Sequence, residues 1–225
     1  MHGQISPRDA ARLKGYSLAT QVAIAVSAIS AILLLAAFFW AYSIGKTGLA
    51  PDQSTTIGIG ILGGVGMIGL VLPSLAGTAT FLLWFHKAIA NLHRAELSGL
   101  RARPLWSVIS LFVPIAQLFV TFLAMRELWN RSHGEDEYQS RTAVTTISVW
   151  WLCLLTGSFL IAFVLVIASL YVFSPIKLVA PGLLNFMLLV VGIGFQCMAA
   201  GCLVVILRRI TAAQASLIDG SAIFA

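Results

Sequence analysis

Charge is scarce in this chain. Only 10% of its residues are Asp, Glu, Lys or Arg, against roughly 25% in a soluble globular domain, which excludes an ordinary soluble fold. Cysteine is scarce too. Cys153, Cys197 and Cys202 are three in number, show no CxxC spacing and sit inside apolar runs, so neither a disulfide framework nor a zinc site is expected and they read as small packed hydrophobes. No Asp, Glu, Lys, Arg or His stands at the centre of an assigned span. Proton-driven carriers usually place one there, so that class is disfavoured. No ten-residue segment alternates apolar and polar, which excludes an outer-membrane barrel.

What the chain has is apolar length. Hydrophobic residues make up 59%, and five runs lie between successive charged residues or histidines: 15–45, 53–85, 104–125, 142–176 and 178–207. Each exceeds the ~20 residues a helix needs to cross ~30 Å of hydrocarbon, and helices satisfy the backbone in lipid. The longest polar stretch, Asn130 to Arg141, reads as a loop. One helical membrane domain over 1–225 is therefore expected, with no soluble appendage. The polar, basic N-terminus precedes an apolar run too long for a signal h-region, so the run is expected to stay as the first span. Ser6 as N-cap, Pro7 and Asp9 predict a short surface helix leading into it.

Lysine and arginine placement selects the topology, because basic residues near span ends stay cytoplasmic. If all five runs cross with the N-terminus inside, the fourteen basic residues divide eight inside to six outside, almost without bias. If the third run does not cross, twelve lie inside and only Lys46 and Lys177 outside. The third run is also the shortest; it starts at Pro104, with Pro114 at its midpoint and Gln117 one turn later. Proline removes a helical hydrogen bond and bends the chain. The expected architecture is all-α integral membrane, with four transmembrane helices at about 17–44, 55–85, 143–173 and 182–207. A Pro-broken re-entrant or interfacial segment lies at about 105–128, five transmembrane helices being the alternative. Both termini are then cytoplasmic.

Gly58-Ile-Gly60-Ile-Leu-Gly63 matches GxGxxG, but the dinucleotide motif needs a preceding strand in an α/β fold. Close helix packing through small residues is expected instead. At the end of the second run Trp84, Lys87, Asn91 and Arg94 share one helical face and His86 and His93 the opposite one. Two histidines without further ligands do not make a metal or haem site, and His133-Gly-Glu-Asp-Glu137 reads as a solvated acidic loop. Gln196 among small residues reads as an interhelical hydrogen-bond donor. No catalytic residue, metal or cofactor is assigned.

Four blocks carry a resemblance: Phe81-Leu-Leu-Trp84-Phe-His-Lys87-Ala-Ile-Ala-Asn91-Leu, Pro104-Leu-Trp106, Val113-Pro114-Ile-Ala-Gln117-Leu118 and Met125-Arg126-Glu127-Leu128-Trp129. In order and spacing they resemble the bacterial membrane family known as domain of unknown function 4328, most closely over 81–132. This sequence departs from the family at Gln117, usually asparagine, and at Thr121, near which the family has a second proline. The resemblance implies a multi-pass protein of the bacterial cytoplasmic (inner) membrane and supplies no catalytic residue. It nominates Trp84, Lys87, Asn91, Trp106, Pro114, Gln117, Glu127 and Trp129 as the candidate binding centre, with Glu127 expected to pair with Lys87 or Arg94.

The expected function is a non-enzymatic packing or interaction module. A channel or carrier built around the Pro114 segment and a membrane-interface enzyme are the alternatives. Expected partners are the bilayer, anionic headgroups near Lys87, Arg94, Arg101 and Arg103, and a second copy or another membrane protein. The net charge of +6 needs no nucleic acid to explain it.

Overall fold

The computed structural model describes residues 6–47, 51–173 and 182–223. Among them the chain forms helices and turns and no strand. Four helices are long and apolar enough to cross a membrane: α1 (Pro7–Thr47), α2 (Gln53–Arg94), α6 (Thr145–Phe173) and α7 (Gly182–Ile223). Between α2 and α6 lies the third run, broken into α3 (Pro104–Ile109), α4 (Pro114–Ala116) and α5 (Phe122–Ser132). Pro175 and Lys177 lie outside the described residues.

The capping chemistry sets the helix starts. The Ser6 hydroxyl accepts the Asp9 amide at 3.2 Å, as its N-cap role predicts. The expected surface helix and first span are one element, however. Nothing between Pro7 and Thr47 breaks the helix over its 41 residues, about 60 Å at 1.5 Å per residue. Asp52 caps α2: its carboxylate accepts the Ser54 hydroxyl and the Thr55 amide. These bonds, the Ser54 hydroxyl foremost, hold the carboxyl below its ordinary pKa. α2 runs on past the second apolar run to Arg94. Glu96, two residues beyond its end, has a left-handed φ of 53°.

The chain forms two compact units, residues 11–87 and residues 1–10 with 88–225. In the first, the glycines of α2 let α1 come close. A Cβ at Gly66 would stand 2.8 Å from Leu34 Cγ and 3.2 Å from the Ser30 carbonyl, and one at Gly77 2.9 Å from Ala23 Cβ. The packing read from the glycines is thus carried by Gly66 and Gly77, whereas within the GxGxxG stretch a Cβ at Gly58 would meet Trp40 at 3.2 Å and one at Gly60 nothing within 4 Å. Thr20 donates to Thr80 across the same pair at 2.9 Å.

In the second unit α6 and α7 pack by the same means. A Cβ at Gly157 would meet the Gly192 carbonyl at 2.9 Å. Gln196 donates to Ser158 at 2.8 Å, the interhelical bond expected of it. Cys153 packs its sulfur on Met198 at 3.4 Å. The core of this unit gathers Ile89, Leu92, Met125, Leu128, Ile147, Trp150 and Ile206, all nearly or fully buried.

The third run bends as Pro114 requires. Ser110–Phe112 tighten into a 3₁₀ turn, Val113 is extended, and Gln117–Thr121 widen into a π turn before α5. Pro104–Phe112 and Pro114–Ser132 are bent by 112° relative to each other. That slightly exceeds a right angle, so the second arm runs across the first and a little back toward its start. The bend forms without the second proline, because the extended Val113 before Pro114 already leaves the helical region.

Candidate functional site

α2, α5 and α7 meet around one buried glutamine. Gln214 donates to the Ala88 carbonyl at 3.0 Å and to the Ser132 hydroxyl at 3.1 Å. Its side-chain oxygen accepts from Asn91 at 3.2 Å. Asn91 and Gln214 are at most 1% exposed, where each bond replaces a desolvation cost that nothing else would meet.

Around this knot the polar side chains of α5 hold chain on both sides of it in sequence. Asn130 points its amide at the carbonyls of Ser140 and Thr142, at 3.0 and 3.1 Å. Arg131, 7% exposed, donates to the Ser98 carbonyl at 2.7 Å and the Glu135 carbonyl at 2.9 Å. The stretch read as a solvated loop is therefore pinned from both sides. On the other face of α5, Glu127 accepts the Arg101 amide at 2.8 Å and the Ala102 amide at 3.0 Å. This corrects the expected pairing with a basic side chain. The carboxylate is committed to the main chain, and Arg94 is held instead by Asp9 at 2.5 Å.

These contacts shape a cleft of about 260 Å³ between the 99–107 segment, α5 and residues 137–141. Arg101, Trp106, Ser107, Arg126, Glu127 and Arg141 line it. Gly99 also lines it, with a φ of +73° and the Glu137 carboxyl where a Cβ would stand. That left-handed backbone favours glycine.

The nominated residues divide between the two units. Asn91, Glu127 and Trp106 belong to the knot or the cleft. Trp129 flanks them and stacks on His133, with ring centroids 4.7 Å apart. Pro114 is exposed and Gln117 half-buried, both in the bend. Trp84, fully buried, and Lys87 stand on the same helix as Asn91 but in the other unit, where Phe81 stacks on Trp84 and Phe85. Of the two histidines, His93 faces the Ala102 carbonyl at 2.8 Å.

Gln214, Asn130, Arg131 and Ser107 escaped the sequence reading. Gln214 lies beyond the last apolar run, past Arg208 and Arg209, where nothing announces burial. Its one signal is a run of small neighbours, Ala212, Ala213 and Ala215.

A family model described as domain of unknown function (DUF4328) matches residues 47–212, taking in α2 through most of α7. No curated protein and no solved structure matches the chain.

Proposed function

The chain belongs to the DUF4328 family, and from that premise we propose that it is a non-enzymatic multi-pass protein of the bacterial cytoplasmic membrane that works by packing against a second copy or another membrane protein. Both termini are cytoplasmic in this proposal, and the bent third segment enters and leaves on the cytoplasmic face. The twelve-to-two division of basic residues supports that arrangement. Lys87, Arg94, Arg101 and Arg103 then lie near anionic headgroups.

The observation that carries the proposal is how the polar side chains around α5 are used. Asn91, Gln214 and Ser132 hydrogen-bond among themselves, and Glu127, Asn130 and Arg131 bind main-chain atoms. Side chains committed to holding three helices and a loop form a scaffold. The bend itself presents apolar surface, with Phe112 70% and Ile115 76% exposed. That favours contact with lipid or a neighbouring helix over a polar conduction path around Pro114.

Chemical crosslinking in membranes, followed by detergent extraction, tests this. A crosslinked homodimer or a reproducible heteromeric adduct is the expected result. A protein that runs as a lone monomer and forms no adduct contradicts the proposal.

A further inference from the structure

We propose that the cleft between the 99–107 segment and α5 is a binding site for a phosphate-bearing anion. Three guanidinium-bearing residues, Arg101, Arg126 and Arg141, line its roughly 260 Å³. Among the described residues none of the three has a carboxylate within ion-pair distance. Arg126 instead lies over the Phe122 ring, 5.8 Å from its centroid. Its Nε is buried without a hydrogen-bond partner, and an unmet donor on a charged group is costly.

Ser107 adds a second unmet group. It lines the cleft, is 1% exposed, and its hydroxyl has no partner. A phosphate oxygen accepts from both a hydroxyl and a guanidinium, and arginine's planar fork matches it in two-point contact.

Two carboxylates also line the cleft. Glu127 already accepts two main-chain amides, one on each oxygen, and Glu137 packs its carboxyl against Gly99. Three arginines against two glutamates leave one positive charge, which favours an anion over a cation. The cleft is near the lower end of small-ligand pocket sizes, roughly 300–1,000 Å³, and suits a headgroup-sized ligand. Two sources share this chemistry: the headgroup of an anionic phospholipid and a free phosphate. Trp106 on the rim is half-exposed beside Leu105 at 64% exposure, an apolar lip beside the charged cleft.

The test is native mass spectrometry and thermal melting of the full chain in a zwitterionic detergent. Phosphatidylglycerol, phosphatidylcholine and inorganic phosphate are added separately. Retention of phosphatidylglycerol over phosphatidylcholine, without an effect of inorganic phosphate, assigns the site to a lipid headgroup. A rise in melting temperature with inorganic phosphate, but not with equal ionic strength of chloride, assigns it to a soluble phosphate. Either result should weaken roughly a hundredfold in R101Q/R126Q, the loss of two charge-assisted bonds, and hold in R209Q, which lies outside the cleft. No preference among the three additives in the unaltered protein overturns the proposal, as does equal weakening in R209Q. The arms that use the unaltered protein decide the matter even if the double variant does not fold.

Discussion

A glutamine amide offers two donors and an acceptor, and at Gln214 all of them are used. One side chain thereby ties α7 to Ala88 and Asn91 of α2 and to Ser132 of α5. Truncation leaves those partners buried and unmet, a penalty of roughly 1–3 kcal/mol for each such group. Gln214→Ala should therefore melt well below the unaltered protein in detergent. Adding Asn91→Ala should cost much less than the sum of the two single losses, because they share one network. Additive losses would mean that the two residues act independently. Asn91 was visible in the sequence, because its spacing from Trp84 and Lys87 put all three on one face. Its partner was not. Hydropathy locates spans, and a polar residue far along the chain gains its meaning only when the helix that carries it folds back.

Among the elements, the helices were legible and their joints less so. Apolar length between charges located α1, α2, α6 and α7, because lipid demands that length and tolerates little else. The break at Pro114 was legible for a covalent reason, proline's missing N–H. The 3₁₀ and π turns that flank it were not, since no residue type encodes them. The glycines of α2 divide by position. Gly66 faces Leu34 and the Ser30 carbonyl, whereas Gly60 has nothing within 4 Å of its Cβ position. A leucine at Gly66 should force α1 and α2 apart at a cost of roughly 1–3 kcal/mol, read as a lower melting temperature. Gly60→Leu should leave the melt nearly unchanged. Equal effects at the two positions would show that the glycines of α2 do not set the approach of α1. The Glu127 expectation failed for an instructive reason. A carboxylate near basic side chains suggests an ion pair, but the main-chain amides of Arg101 and Ala102 are presented together and supply one bond to each of its oxygens.

For the whole molecule, the charge bias and the bend point the same way. Twelve basic residues fall on one side only if the third run turns back, and its two arms are bent by 112°. A segment folded past a right angle returns toward its own entry face, so the loop after α5 should share a side with the N-terminus. Tyr138 in that loop is 92% exposed, which makes Tyr138→Cys a suitable reporter, with the unaltered chain as background for its own cysteines. Intact bacterial cells expressing the variant are treated with a membrane-impermeant maleimide before and after permeabilisation. Labelling of the introduced thiol above background only after permeabilisation is the predicted result, and places the loop in the cytoplasm. Labelling in intact cells would mean that the third run crosses, and would contradict the four-span account.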